Sequence, residues 1–447
     1  MSDKKRFFVA GFWVILIYGL SQLLRLGSNL IITRLLEPEM FGVMAIVYVI
    51  ITGIGMFSDL GLWAFIVRSK NPEDPRLLNV IWTMHVVRGW MLFFVIEAIG
   101  VCFMIAQTYV PDIFQGVYAD TRLPILILIV GFGSIITGYQ SMASAVMSRK
   151  LQRGKLEMVD FISQVSGTLV MVIWVWIHPT IWALVSAGLV TATMSTLLSY
   201  LLFPIRHQLL WDKTIVKDVV EFGKWIVIAS MLTYLFMQGD RLFLAGNIDA
   251  TQMGVYSIAL MLATTLTSVT GALAAKIVFP FLSATVHEKR EILKDRYYKI
   301  RFYFDIVTFF MVGLMVALAP TIVSVLYDAR YSEAGWMLQI LVLSVVGNAL
   351  SAFSLECLSA LSITKVNMWV MLIRTVGLFI GLPTFFHLYG LYGAMWVIAL
   401  NMCLPLPVIY WALHKNQLFS FVKEVRMLPL LGVGILLGRG ILHFVKI

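Results

Sequence analysis

Six cationic side chains fall inside apolar stretches long enough to span a membrane: Arg25, Arg88, Arg241, Lys276, Arg374 and Arg439. A charge near the centre of a bilayer costs about 3 kcal/mol on insertion scales, so each should face protein, water or an anion rather than lipid. The same stretches contain Asp59, Glu97, Asp240, Asp305 and Glu356. Asp59, Glu97, Asp305 and Glu356 have two readings: they neutralise the cations as ion pairs, or they carry protons or Na⁺ for coupled transport. Arg241 stands next to Asp240 near the end of its stretch and reads as structural. Arg88, Lys276 and Arg374 lie within about two turns of a span end, where long side chains also snorkel to the interface.

Arg25 has a more specific setting. With Tyr18, Ser21, Gln22, Ser28 and Asn29 it follows the i, i+3, i+4, i+7 spacing of one helix face. Ser230, Thr233, Tyr234, Gln238 and Arg241 make a second stripe of the same kind. Polar stripes facing lipid would leave groups unsatisfied, so these should face protein or water. Two readings stay open: a helix-packing face, since Ser, Thr and Gln bond between helices, or the wall of a water-lined cavity.

Other chemistries lack their residues. The seven histidines form no H-E-x-x-H or similar spacing and no P-loop is present, so no metal, cofactor or direct use of ATP is expected. A membrane glycosyltransferase or polymerase should show a large external loop or an acidic metal-binding cluster. The longest external loop is only "QTYVPDIFQGVYADTR". Cys102, Cys357 and Cys403 all lie in apolar runs and imply no disulfide framework.

The elements that must position these residues are membrane helices. Of 447 residues, 60% are hydrophobic and 13% charged, against about 25% charged in soluble proteins. Spans need about 20 apolar residues. Twelve candidates stand out, at roughly 9–33, 41–66, 81–106, 123–147, 159–177, 180–203, 223–245, 252–283, 299–326, 334–361, 368–385 and 389–413. A thirteenth, 428–445, is shorter and holds Arg439, and it either spans or lies at the interface. With a cytoplasmic N-terminus, 24 Lys and Arg fall in inside segments and 4 in outside ones. That asymmetry sets the orientation and accounts for most of the net charge of +10, so nucleic acid is not an expected partner.

The chain also repeats itself at an offset of 212. "GFWVI" from Gly11 matches "GKWIV" from Gly223, and "MFGVMAI" from Met40 matches "QMGVYSI" from Gln252. Six spans separate the copies, so they run parallel, related by an axis along the membrane normal, an arrangement that secondary transporters use. The expected division is an N-terminal six-helix lobe at 1–203, a cytoplasmic linker at 204–222, a C-terminal six-helix lobe at 223–413 and a tail at 414–447 with the thirteenth candidate helix.

Three stretches resemble a known group. "ITRLLEPEMFGVMAIVYVI" from Ile32, followed by "FSDLGLWAFIVRS" from Phe57, is similar to the opening of bacterial polysaccharide exporters. "GDRLFLAGNIDATQMGVYSIALMLA" from Gly239 resembles their seventh and eighth helices. "LSALSITKVNMWVMLIRTVGLFIGLPTFFHLYGLYGAMWVIA" from Leu358 resembles their tenth to twelfth. The resemblance runs from Phe8 to about Leu413 and points to the Wzx-type flippases of the multidrug/oligosaccharidyl-lipid/polysaccharide exporter superfamily. One departure is length: many members have fourteen spans.

This resemblance implies an all-α integral membrane fold of 12–13 helices, two bundles of six forming a V with a cavity open alternately to each side. It implies a lipid-linked oligosaccharide on polyprenyl pyrophosphate as substrate, with O-antigen, capsule or exopolysaccharide synthesis as the setting. The chain would be a monomer in the bacterial cytoplasmic membrane, in contact with membrane lipids, with a polysaccharide polymerase or glycosyltransferases as candidate partners. A pyrophosphate suits the rigid donor fork of arginine. Arg25, Arg88, Lys276 and Arg374 are therefore the expected substrate-binding cations, with Tyr18, Gln22, Asn29, Thr233, Tyr234 and Gln238 lining the cavity. No catalytic residue is expected. The competing reading is a cation-coupled multidrug exporter of the same superfamily, which would want an acidic cavity; the enzyme reading comes third.

Overall fold

The computed structural model describes residues 3–150, 152–203, 205–274, 278, 281–282 and 290–445. The described residues are mostly helical, with no strand among them. In order, the helices are α1 (Asp3–Leu35), α2 (Pro38–Phe57), α3 (Leu62–Arg68), α4 (Pro75–Tyr109), α5 (Leu123–Gly138), α6 (Ala143–Arg149), α7 (Arg153–Ile177), α8 (Trp182–Leu201) and α9 (Lys213–Ala245). After them come α10 (Ala250–Leu273), α11 (Arg290–Leu326), α12 (Ala334–Leu341), α13 (Ser344–Ala360), α14 (Lys365–Asn401), α15 (Leu406–Lys415), α16 (Phe421–Val425) and α17 (Pro429–Val445).

Local chemistry sets several of these boundaries. Proline opens α2 and α4, where the missing N–H costs nothing. Asp74 also caps α4 by accepting from Arg76 N. The expected span 41–66 breaks between α2 and α3, where Gly61 takes φ +64° and its N–H donates to Asp59 Oδ1 at 2.9 Å. The expected span 123–147 is the pair α5 and α6, bent by 60°. Gly390, at φ 61° and ψ −149°, interrupts α14 in a region that only glycine enters freely. That break falls at the second residue of the expected span 389–413.

Among the described residues, ten helical runs are long and apolar enough to cross a membrane, or eleven with the bent pair counted as one span. One of the ten, Lys365–Lys415, is 51 residues long and contains the Gly390 break, so it covers two expected spans. Phe421–Phe444 is another, so the thirteenth candidate stretch is helical and apolar enough to span.

The chain falls into two compact units, Met1–Tyr234 with Ala245–Met253, and Leu235–Leu244 with Gly254–Ile447. In the first, α4 pairs with α5, α7 with α8, and α1 lies along α7. Glycine permits a close crossing here: a Cβ on Gly89 of α4 would lie 2.8 Å from the Gly138 Cα of α5. The segment before α9 is fastened to the start of α4. Gln208 N donates to Asn79 Oδ1 at 3.1 Å, Leu210 N donates to Thr83 Oγ1 at 2.9 Å, and Arg76 pairs with Asp212. Helix α9 begins at Lys213, so half of the expected linker 204–222 is helix.

In the second unit, α11 and α17 pack along their length through a seam of small residues. A Cβ on Gly434 would lie 2.5 Å from Phe310 O, and one on Gly438 2.5 Å from the Ala317 Cβ. Gly313 faces the Leu431 carbonyl across the same seam. Such seams let backbones approach where lipid and leucine are equally apolar and hydrophobic burial gives no preference. Below the seam lies a core of Leu293, Tyr297, Tyr298, Phe353, Cys357, Ile409 and Leu413.

Candidate functional site

In the first unit, Arg25 is exposed on α1, and its own carbonyl accepts from Ser28 Oγ at 3.1 Å. One turn earlier Gln22 is half-buried, and its Oε1 is buried without a hydrogen-bond partner. Asn29, one turn later, is half-buried and its carbonyl accepts from Thr33. Tyr18 lies on the same helix, and its side chain falls outside what is described. Arg25 thus extends a guanidinium fork from a helix face that also carries an unsatisfied amide oxygen.

Arg88 has a different position. Its Nε donates to Ser58 O and Ser58 Oγ, both at 3.0 Å, and its Nη2 donates to Gly55 O at 2.7 Å. These carbonyls are at the C-terminus of α2, where the last turn lacks intrahelical partners and carries partial negative charge. The guanidinium therefore caps that helix. Asp59, next in the chain, is occupied by the Gly61 N–H. Glu97 is half-buried on α4 with Oε1 unpartnered, facing Gly131 of α5.

The second expected stripe divides along its length. Tyr234 is buried and its hydroxyl donates to Val49 O at 3.0 Å. Its ring meets Phe57 edge-on at 5.1 Å and fills the space left by Gly53, where a Cβ would come within 2.6 Å. Tyr234 therefore packs against α2. Thr233 bonds back to Ala229 O at 2.8 Å within its own helix. In the second unit, Gln238 accepts from Arg241 Nη1 at 2.6 Å, and buried Asp240 accepts from Tyr256 Oη.

Arg374 is buried on α14 at 8% exposure. Its guanidinium stands 5.7 Å from the Phe236 ring centroid, Nη2 reaches Met402 O at 3.4 Å, and Nε is unpartnered. Asn401 donates to the Arg374 carbonyl at 2.9 Å while its own Oδ1 lacks a donor. No carboxylate pairs with Arg374 among the described residues. A buried cation held only by an aromatic face and a long carbonyl contact retains most of its capacity for an anion. Lys276 lies outside the described residues, and Glu356 is half-buried on α13.

Sequence reasoning missed one constellation. Arg301 is counted among the inside cations at the edge of the expected span 299–326, yet it is 1% exposed and sits with Asp305, Glu424, Tyr297, Tyr298 and Ser354. Tyr297, Arg301 and Asp305 recur at i, i+4, i+8, so part of this face was visible as a periodicity. Glu424, on the short α16, was not.

Outside the membrane helices, His207 and Asp120 are among the groups with shifted titration. His207, in the segment before α9, stacks on Trp82 with ring centroids 5.4 Å apart and accepts from Met142 N at 3.3 Å. Burial pushes its imidazole down to about 4. At the loop before α5, burial would raise the Asp120 carboxyl, but hydrogen bonds and charge from Arg122 outweigh it and hold the group below its usual range. Arg122 also pairs with Glu39 in the first turn of α2.

Residues 31–335 match the family described as polysaccharide biosynthesis protein. The lipopolysaccharide biosynthesis protein WzxC of Escherichia coli (strain K12) is 22% identical over 329 residues, 72% of this chain and 64% of that protein, so the match spans less than two thirds of WzxC. Lipid II flippase MurJ, in an inward closed conformation, aligns over 96% of this chain and 98% of its own with a TM-score of 0.67 and 11% identity. An inward-facing multidrug resistance MATE family transporter of the MOP superfamily aligns over 95% of each chain with a TM-score of 0.58 and 14% identity. At such identities these likenesses show the fold, an all-helical MATE-like membrane transporter fold. By the extent of its match, the chain is a multi-pass membrane member of the polysaccharide biosynthesis protein family.

Proposed function

We propose that this protein flips an oligosaccharide linked to polyprenyl pyrophosphate across the bacterial cytoplasmic membrane by alternating access, without chemical change to the substrate. The observation that carries this reading is the family match over residues 31–335, reinforced by the resemblance to WzxC. In this reading the N-terminus is cytoplasmic, and the chain divides as two six-helix lobes at 1–203 and 223–413. Arg25 in the first unit and Arg374 in the second are each assigned, separately, as a cation for the pyrophosphate during its passage: Arg25 is exposed on a polar face, and Arg374 is buried with an unpartnered Nε. Arg88 gives its donors to α2 and supports the site through the fold.

The test is complementation of a cell lacking its own flippase. Arg25→Ala should abolish surface polysaccharide at unchanged protein level, with lipid-linked precursor accumulating on the inner face. Arg25→Lys should retain partial export, because the charge survives and the bidentate fork does not. Normal export by Arg25→Ala would remove Arg25 from the path. Failure of the unaltered protein to restore export, with drug efflux in its place, would overturn the flippase reading.

A further inference from the structure

The buried cluster on α11 holds one strong cation and two carboxylates. Arg301 is 1% exposed, Asp305 1% and Glu424 0%. Arg301 Nη2 lies 2.7 Å from Glu424 Oε2, and Arg301 Nε donates to Asp305 Oδ2 at 3.2 Å. Arg301 Nη1 donates to Ser354 Oγ at 3.1 Å and to the Tyr297 hydroxyl. The guanidinium also lies 5.6 Å and 5.7 Å from the Tyr297 and Phe353 ring centroids. With both acids ionised, the enclosed charge would be −1, and an uncompensated charge of that kind is costly away from water.

The two carboxylates are not equivalent. Glu424 is surrounded by donors. Tyr298 Oη donates to its Oε1 at 3.1 Å and Tyr297 Oη reaches the same atom at 3.4 Å. Each of these bonds favours the ionised form. Asp305 has the single Arg301 contact on Oδ2, and its Oδ1 is buried with no hydrogen-bond partner.

Among the described residues, the other groups named around the cluster leave this imbalance in place. Ser354 and Cys357 face it from α13 and are uncharged as Ser and thiol. Lys423 lies 5.2 Å over the Tyr298 ring and 3.5 Å from Asp295, which is exposed. Arg426 lies 4.4 Å over the Phe302 ring with its side chain exposed, and Arg290 is exposed at the start of α11. Solvent screens charges so placed.

We infer that Asp305 is a proton-binding site, with the proton on Oδ1, and that Arg301 and Glu424 form the neutral pair beside it. With the proton bound, the cluster is neutral and closes the C-terminal segment at α16 onto α11. Without it, two anions share one arginine across that junction. The site is separate from the cations assigned to the substrate, and its test does not depend on transport.

Infrared difference spectroscopy on the full chain in phospholipid vesicles reads the proton directly. At neutral pH the unaltered protein should show the C=O band of a protonated carboxyl. ¹³C labelling of aspartate should shift it and labelling of glutamate should not. The band should survive Asp240→Asn, which removes the other buried aspartate, and disappear in Asp305→Asn. It should also disappear in Glu424→Gln, because Asp305 then becomes the counter-ion of Arg301 and gives up its proton. An unaltered protein without the aspartate band, or a band that persists in Asp305→Asn or in Glu424→Gln, would overturn the assignment. Should Asp305→Asn fail to fold, the labelled unaltered protein and Glu424→Gln decide the question alone.

Discussion

Arg88→Met tests whether an arginine within a membrane helix serves the fold or the substrate. Methionine keeps the length of the side chain and removes three donated bonds, to Ser58 O, Ser58 Oγ and Gly55 O. Hydrogen bonds to a charged group contribute about 1.5–3 kcal/mol each. A cation at a helix C-terminus adds about 0.3–2 kcal/mol. Two effects offset the loss. Gly55 O keeps Ser58 N at 3.3 Å and Ser58 Oγ at 2.9 Å, and methionine removes the cost of holding a half-buried charge. The expected net loss is about 3 kcal/mol, roughly a 100-fold shift in the unfolding equilibrium. Arg88→Lys keeps the charge and one bond, and should lose about half as much. The assay is a reversible denaturant titration of the purified protein, run beside export in cells. If Arg88→Met is as stable as the unaltered protein and export fails, the capping argument is refuted and the side chain acts on the substrate.

At the α11–α17 seam, Gly434→Leu should lower the yield of folded protein at least several-fold, because its side chain meets Phe310 O; Gly440→Leu, with open space around it, should be neutral by the same measure. For His207, the sign follows from its depressed titration. The folded state binds this proton only near pH 4, whereas an unfolded imidazole binds it near 6.5. The neutral ring therefore contributes its full stability above about pH 6.5, and that contribution is lost as pH falls toward 4. His207→Phe keeps the stack on Trp82 and should show a shallower fall in melting temperature over that window.

Helix positions were readable because a membrane span is a long apolar run, and its breaks carry glycine. Gly61 and Gly390 stand where the apolar pattern runs on but the backbone turns. The roles of single polar residues were less readable. Tyr234 shares a stripe with Thr233 and Gln238 at helical spacing, yet its partner is the small Gly53 on α2, and no periodicity reports what lies opposite. Arg88 is visible as a buried cation, but the carbonyls it meets belong to a helix end, at Ser58, that lies inside the expected apolar span 41–66. Arg301 stands at the edge of the expected span 299–326, and the apolar pattern did not show that α11 starts as early as Arg290.

The Arg301 cluster also bears on how the chain is made. Arg301 and Asp305 leave the ribosome together, one helical turn apart, long before Glu424 is synthesised. In that interval α11 must be accepted by the insertion machinery with its arginine unpaired except by Asp305. The aspartate at i+4 is the companion that travels with the charge. When α16 arrives, Glu424 takes the arginine over, and the α17 seam closes behind it. A stretch translated well after Arg301 thus completes the electrostatics of a helix inserted earlier, so a chain truncated before Glu424 would leave that helix with its provisional partner only.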